Sequence, residues 1–154
     1  MIIIPNCKNL EIKHVVCDYN GTIAKDGEVL SEVKALFKVL ATKYKLYVIT
    51  ADTFGSVEKQ MQTYGCEIKI LSSKDHTAEK EAFIEELGST SCVALGNGNN
   101  DAKMLAKAEV GIAIIGDEGC AKETFMASDI LCKSIGEALE LLIYPKRLIA
   151  TLRR

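Results

Sequence analysis

Long apolar runs, paired cysteines and an excess of basic residues are all missing from this sequence, and each absence excludes a class of protein. No apolar run approaches the roughly 18 residues of a membrane-spanning helix, and the apolar start of the chain is too short for a signal peptide. The formal net charge of −2 leaves no surplus of lysine and arginine to neutralise nucleic-acid phosphates. We therefore expect a cytoplasmic protein that binds neither membranes nor nucleic acid.

The cysteines lack the spacing of a zinc site or of a disulfide framework. None of the six belongs to a C-x-x-C pair, and several lie within apolar runs. Structural zinc sites use paired ligands, and disulfide frameworks are typical of short secreted chains. We predict reduced thiols that pack as small apolar groups at Cys7, Cys17, Cys66, Cys92, Cys120 and Cys132.

Strand and helix patterns alternate along the 154 residues without a linker or a repeat. Short, continuous apolar runs predict strands buried on both faces, at residues 14–17, 46–49, 67–71, 91–95, 110–115 and 129–132. Helical spacing of apolar residues predicts helices at 31–44, 54–64, 77–87, 101–108 and 120–126, and a last helix at 135–154 that is interrupted near Pro145. This alternation predicts an α/β, three-layer, Rossmann-like parallel sheet with helices on both faces. We expect one domain over residues 1–154, with its core at about 13–133 and a C-terminal helix at about 135–152.

Polar and small residues follow four of the predicted strands at the point where each strand ends. Asp18 follows the first strand, Thr50 the second, Lys74 and Lys80 the third, and a glycine- and asparagine-rich segment, residues 96–101, the fourth. Because the carboxyl ends of parallel strands meet at one edge of a sheet, we expect these groups to lie together. An aspartate can attack phosphorus to give an aspartyl-phosphate, and cations and backbone N–H groups stabilise the transferred charge. The arrangement predicts phosphoryl chemistry at Asp18.

Each of these segments alone has a simpler explanation. Asn20 and Gly21 fit a tight turn, Thr50 fits a helix cap, and Lys80 fits a solvated charge on a helix. Those explanations would all have to coincide, in order, at successive strand ends, which favours one shared site. Lys74 is the alternative to Lys80 because it lies nearer the strand end.

Four segments resemble the motifs of the haloacid-dehalogenase (HAD) superfamily. Residues 18–22, Asp-Tyr-Asn-Gly-Thr, resemble the D-x-D-G-T/V signature of its phosphatases and the D-K-T-G-T of P-type ATPases. Residues 48–52 resemble a hydrophobic-T-G-D segment, residues 96–105 resemble G-D-G-x-N-D-x-x-M/A-L, and Lys80 and Phe83 have a K-x-x-F spacing. The resemblance is greatest to soluble, P-type-ATPase-like proteins.

The resemblance implies a phosphorylated substrate, a Mg²⁺ cofactor and a role for each matching residue. Asp18 would be the nucleophile, Thr50 would bind phosphoryl oxygens, and Lys80 would balance charge. The implied catalytic set is Asp18, Asn20, Thr50 and Lys80, and the implied phosphate-binding set is Gly21, Thr22, Ala51 and Lys80. The implied metal ligands are Asp18, the backbone carbonyl of Asn20, Asn97 and Asp101, with Asn100 in support.

Two positions depart from the family pattern. Asn20 stands where phosphatases carry a second aspartate that transfers protons, and an amide cannot do this work. Asn97 stands where a metal-binding aspartate is usual, which removes one negative charge from the metal site. We expect a slow phosphatase or phosphotransferase, and the alternative is a degenerate binding or regulatory protein.

The spacing between motifs leaves no room for a cap domain. An open phosphate pocket favours a macromolecular substrate or closure by a second subunit. Closure by a second copy of the chain would make the protein a homo-oligomer. A receiver domain, which also phosphorylates an aspartate, fits poorly because its acceptor would follow the third strand, where this chain has Ser72 and Ser73. His76, near the predicted site, is expected to be a turn residue.

Overall fold

The structure, a computed structural model, describes residues 1–52 and 54–154. Thr53, which the sequence marks as a helix start ahead of Glu58, lies outside the described residues. The elements in chain order are β1 (Ile2–Ile3), β2 (Asn9–Leu10), β3 (His14–Asp18), β4 (Ala24–Lys25), β5 (Glu28–Val29), α1 (Ser31–Leu40), β6 (Lys45–Thr50), α2 (Ser56–Met61), β7 (Cys66–Ile70), α3 (His76–Leu87), β8 (Cys92–Gly96), α4 (Ala102–Lys107), β9 (Val110–Ile114), α5 (Lys122–Ala127), β10 (Ile130–Cys132), α6 (Ile135–Ile143) and α7 (Pro145–Leu152). Short 3₁₀ turns at Ser89–Ser91 and Asn99–Asp101 precede β8 and α4.

The central sheet has six strands in the order β10-β9-β8-β3-β6-β7. Every neighbouring pair in it is parallel. The chain runs outward from β3 through β6 to β7 and then crosses back to β8, so the direction of winding reverses between β3 and β8. In open parallel sheets, ligands bind beyond the carboxyl ends of the strands at such a reversal. The predicted α/β parallel sheet is therefore confirmed, and β3 lies at its centre.

Two layers of helices bury the sheet. Val15 and Cys17 of β3 point into the cluster that includes Phe37 of α1 and Leu139 of α6. Val16 points to the other side, into the cluster formed by α3, α4 and the opposite faces of the strands. A strand that is apolar on both faces explains the continuous apolar runs in the sequence.

The helices begin and end close to the predicted positions, with two notable differences. α1 ends at Leu40 rather than at residue 44, since the N–H groups of Lys43 and Tyr44 turn back to the Leu40 carbonyl. α2 covers only Ser56–Met61 of the predicted 54–64. Gly65 follows α2 and Gly88 follows α3, and their φ values of +73° and +97° are ones that glycine adopts without strain.

Two small antiparallel ribbons flank the main sheet. A hairpin turn at Asp26 and Gly27 joins β4 to β5, and both turn residues have positive φ, 51° and 80°, as a type I′ turn requires. The pairing of β1 with β2 was not predicted, because strands of two residues leave no periodic pattern. Within the described residues, no helix has the length and apolar character needed to cross a membrane.

Candidate functional site

Asp18 is the last residue of the central strand, and a tight turn follows it. The carbonyl of Tyr19 accepts the N–H groups of Thr22, Ile23 and Ala24, which folds the chain back toward the sheet. Gly21 has φ +79°, and a Cβ there would lie 2.3 Å from the amide nitrogen of Asn97. This position therefore needs glycine for both its conformation and its close approach.

Lys80 joins two carboxylates beneath the end of the sheet. Its Nζ donates to Asp18 Oδ1 at 2.9 Å, to Asp101 Oδ1 at 2.7 Å and to Asn100 Oδ1 at 3.1 Å. Lys80 and Asp101 are 2% and 0% exposed, and Asp18 is 9% exposed. The three hydrogen bonds use all three donors of the ammonium group. Lys74 is exposed, so the structure places Lys80 and not Lys74 beside Asp18.

One ammonium group shared by two carboxylates leaves excess negative charge at the site. Burial and then the neighbouring Asp101 carboxylate raise the pKa of Asp18 to about 7, although Lys80 acts in the opposite direction. Burial opposes the charge on Lys80, but the two carboxylates more than compensate and raise its pKa. The site therefore favours an additional cation near Asp18 when that carboxylate is ionised.

Asp101 lies behind Lys80 and organises the loop that follows β8. Its Oδ2 accepts the backbone N–H groups of Asn97 and Gly98, both at 3.0 Å, while its Oδ1 accepts from Lys80. Gly96 makes room for this side chain, since a Cβ there would lie 2.6 Å from the Asp101 carboxyl carbon. Both Asp101 oxygens thus accept hydrogen bonds, and the side chain is 0% exposed.

Asn97 connects three loops at the edge of the site. Its Nδ2 donates to the Gly119 carbonyl at 3.1 Å, and its Oδ1 accepts from Thr22 Oγ1 at 3.3 Å. Thr22 Oγ1 also lies 3.5 Å from Asp18 Oδ2. One hydroxyl therefore has the Asp18 oxygen on one side and the Asn97 oxygen on the other.

A cavity of about 210 Å³ opens over these groups. Of the predicted site residues, Asp18, Asn20, Thr50, Ala51, Lys80 and Asn97 line it, and the other lining residues are Tyr19, Leu71, His76, Gly98 and Asn100. Thr50 is buried, and its hydroxyl oxygen accepts the Asp52 N–H at 3.1 Å. Gly21 and Thr22 instead line a separate hollow of about 280 Å³. A larger hollow of about 540 Å³ beside α7 contains none of the predicted site residues.

Asp52 follows Thr50 at the end of β6, and its carboxylate binds the start of α2. It accepts the N–H groups of Phe54 and Val57 and the hydroxyl of Ser56. Sequence reasoning treated His76 as a turn residue, whereas the structure places it in the cavity lining. The spacing from His76 to Lys80, i to i+4 on one helix, is the signal that could have placed both on one face.

The donor atoms around Asp18 suit a hard cation. Among residues 1–52 and 54–154, no cluster of three or more His, Cys, Asp or Glu side chains has the geometry of a metal site. The oxygens available near Asp18 are its own carboxylate, the Asn97 amide oxygen and the nearby backbone carbonyls. Oxygen donors with few charges fit Mg²⁺, which retains several waters when bound.

Comparisons with known proteins agree with the fold. No known family profile matches the chain. An uncharacterized protein from Methanocaldococcus jannaschii is 51% identical over 61 residues, which is 40% of this chain and 66% of that relative.

Solved structures cover far more of the chain. The 3-deoxy-D-manno-octulosonate 8-phosphate phosphatase of Moraxella catarrhalis, in complex with magnesium, phosphate and KDO, superimposes with a TM-score of 0.69 and 22% identity over 93% of this chain and 94% of that one. The cobalt-bound deoxy-D-mannose-octulosonate 8-phosphate phosphatase (YrbI) from Haemophilus influenzae gives a TM-score of 0.73 and 13% identity over 89% of this chain and 90% of that one. The chain has the HAD fold. The catalytic domain of the CPx-ATPase CopB-B matches with a TM-score of 0.58 and 24% identity, over 71% of this chain but only 43% of that one.

Proposed function

We propose that the protein is a magnesium-dependent phosphohydrolase or phosphotransferase that works through an aspartyl-phosphate on Asp18. The observation that carries the proposal is the position of the Asp18 carboxylate. It stands at the carboxyl end of the central strand, 2.9 Å from the Lys80 ammonium group, and it faces a cavity of about 210 Å³. A carboxylate, a buried ammonium, a hydroxyl and oxygen donors for a cation are the groups that phosphoryl transfer requires.

In this proposal each group around the cavity has a distinct task. An Asp18 oxygen attacks phosphorus while the bond to the leaving oxygen breaks, and water later attacks the aspartyl-phosphate to release inorganic phosphate. Lys80 holds Asp18 in place and offsets the charge that develops. Thr50 and the Ala51 backbone, which line the cavity, bind phosphoryl oxygens. Thr22, behind Asp18, orients the carboxylate, and Gly21 allows the turn that brings it there.

The proposed magnesium ligands are Asp18, the Asn20 backbone carbonyl and Asn97, with Asp101 acting through Lys80 or through water. When bound, the cation would neutralise charge on the phosphoryl oxygens. Asn97 contributes an uncharged oxygen, so we expect modest affinity. The absence of a carboxyl group at Asn20 and this weak metal site together predict slow turnover.

Asn97→Asp tests the metal assignment. An aspartate would place an oxygen against the Gly119 carbonyl, where Asn97 now donates a hydrogen bond at 3.1 Å. Without metal we expect the variant to be less stable than wild type by about 1–3 kcal/mol. With Mg²⁺ we expect a larger rise in melting temperature than wild type shows, because binding to the folded state stabilises it. Thermal unfolding in EDTA and across a magnesium titration measures both effects.

Asn99→Asp is the matched control, because Asn99 is exposed in the same loop and the substitution adds the same charge. This variant should show neither the loss of stability in EDTA nor the larger rise in melting temperature with Mg²⁺. Equal magnesium responses for wild type and Asn97→Asp would remove position 97 from the metal site.

Acetyl phosphate tests the nucleophile. We expect wild-type protein to gain the mass of one phosphoryl group in the presence of Mg²⁺, and peptide mapping should locate it on Asp18. The label should be sensitive to hydroxylamine, as acyl phosphates are. Asp18→Asn should take up no label, while Asp117→Asn, which changes an exposed carboxylate, should behave as wild type. Unlabelled wild-type protein, with no magnesium-dependent turnover of any phosphate ester, would contradict the proposal.

We further propose that residues 1–154 act as one cytoplasmic domain without a cap. Between β3 and β6 the chain holds only the β4–β5 hairpin and α1, which leaves the cavity open. An open cavity favours a macromolecular substrate or closure by a second copy of the chain.

A degenerate binding protein is the second candidate, because Asn97 uses its amide N–H in a bond that an aspartate could not make. Restoring both Asn20→Asp and Asn97→Asp without any gain in hydrolysis would favour that candidate.

A further inference from the structure

The proposed reaction needs a group that transfers protons, and the motif residue at that position cannot supply one. Asn20 lines the cavity, but its amide is neither an acid nor a base near neutral pH. Four of the lining residues have an ionisable side chain. They are Asp18, which is the nucleophile, Tyr19, whose hydroxyl donates to the Gly27 carbonyl, Lys80 and His76.

Lys80 is poorly placed to act as an acid or a base. Its ammonium group donates to Asp18, Asn100 and Asp101, so all three of its N–H bonds are engaged. The two carboxylates also raise its pKa, against the effect of burial, and this keeps its protons bound. His76 is therefore the remaining candidate for proton transfer.

His76, on α3, lines the same cavity as Lys80. It is the first residue of that helix and stands one turn before Lys80, so the two side chains share a helix face. One turn corresponds to about 5.4 Å along the axis, and α3 begins at the carboxyl edge of the sheet. In an in-line displacement the leaving oxygen departs opposite the attacking Asp18 oxygen. The departing oxygen therefore moves away from Asp18 within the cavity that His76 lines.

The structural tasks at this helix start are performed by other residues. The Asp75 side chain caps α3 by accepting the Ala78 N–H at 3.0 Å. Glu79 accepts the N–H groups of Ser72 and Ser73 in the preceding turn. The turn and the helix start thus have their own polar partners without the imidazole.

We propose that His76 is the catalytic acid and base of this site and performs the proton transfers that Asn20 cannot. This inference rests on the proposed function. As the Asp18 oxygen bonds to phosphorus and the leaving oxygen departs, the imidazolium gives its proton to that oxygen. The neutral imidazole then takes a proton from water, the water oxygen bonds to phosphorus, and the bond to Asp18 breaks. Inorganic phosphate leaves, and Asp18 and the imidazolium are restored.

Acetyl phosphate separates the two halves of this reaction. Its acetate leaving group needs little protonation, so His76→Gln should be labelled on Asp18 at nearly the wild-type rate. Hydrolysis of the label requires the base, so the rate of its decay should fall by about 10²-fold. The variant would therefore accumulate more phosphorylated Asp18 than wild type while turning over less acetyl phosphate. Quenched mass spectrometry of the intact protein measures both rates.

Three further variants make the outcome decisive. Thr77→Ala, in the same helical turn but outside the cavity lining, should show wild-type decay. Asn20→Asp in the His76→Gln background returns a carboxyl group to the cavity and should restore much of the decay rate. Wild-type decay in His76→Gln, with labelling intact, would overturn the role of His76 and leave the proposed function standing. Failure of wild type and Asp18→Asn to differ in labelling would overturn the proposed function itself, and this inference with it.

Discussion

Lys80→Met is expected to abolish turnover and to lower the free energy of unfolding by about 3–5 kcal/mol, the usual cost of removing one partner from a buried charge pair. Methionine preserves much of the apolar stem but leaves Asp18 and Asp101 facing each other without a cation. Asp101 is 0% exposed, so water cannot replace the lost hydrogen bond. The loss should shrink at low pH, where protonation of Asp18, whose pKa is raised in the folded protein, relieves the repulsion between the two side chains. Urea unfolding at several pH values and a labelling assay measure the two effects.

Lys74→Met is the matched control for this experiment. It removes a lysine six residues away in the chain, but Lys74 is exposed and does not line the cavity. Stability within about 0.5 kcal/mol of wild type is expected for such a surface change. A Lys80→Met protein as stable as Lys74→Met would show that the buried network contributes little to folding.

Asp18→Asn should also abolish turnover, but its effect on stability should have the opposite sign. In the metal-free protein, burial and the Asp101 carboxylate make ionised Asp18 costly, and an uncharged amide avoids that cost. Lys80 keeps its bonds to Asp101 and Asn100. We expect the free energy of unfolding to rise by about 0.5–2 kcal/mol, the usual size of a single stabilising substitution.

The gain should depend on pH in a defined direction. The pKa of Asp18 is raised in the folded protein, from its ordinary value of 3.8 to about 7. Below pH 3.8, Asp18 is protonated in both the folded and the unfolded protein and does not lower stability. As pH rises, the free-energy cost of ionising Asp18 in the folded protein grows, and it is complete above about pH 7. Melting temperatures in EDTA should therefore separate the two proteins at pH 8 and bring them together near pH 4. A less stable Asp18→Asn protein at pH 8 would mean that pairing with Lys80 outweighs the cost of burial.

Much of the sheet could be predicted because its strands are buried on both faces. The runs that became β3, β6 and β8 are continuous and apolar, and their predicted bounds differ from the observed ones by about one residue. An Asp-Gly pair such as Asp26 and Gly27 is typical of a hairpin turn. The end of α1 could not be predicted in this way, since Thr42 and Tyr44 have ordinary helical spacing. Only the tertiary requirement to begin β6 at Lys45 turns the chain there.

The gathering of Asp18, Thr50 and Lys80 could be predicted because parallel strands bring their ends to one edge. The direction in which each side chain points within its loop could not be predicted from the sequence. The Asp101 carboxylate oxygens accept hydrogen bonds from Lys80 and from the loop backbone, partners that its place in the motif does not specify. The position of His76 in the cavity depends on where α3 begins and on its rotation about its axis, and a sequence motif specifies neither.

The placement of Asp18 on the central strand has a consequence for how the protein fluctuates. β3 is hydrogen-bonded on both sides, by β6 and by β8, so its amides should exchange hydrogen with solvent only when the whole sheet opens. The β4–β5 hairpin pairs through only two residues on each strand and can open locally. Local opening of the hairpin would therefore leave the attacking Asp18 oxygen fixed at the end of the central strand.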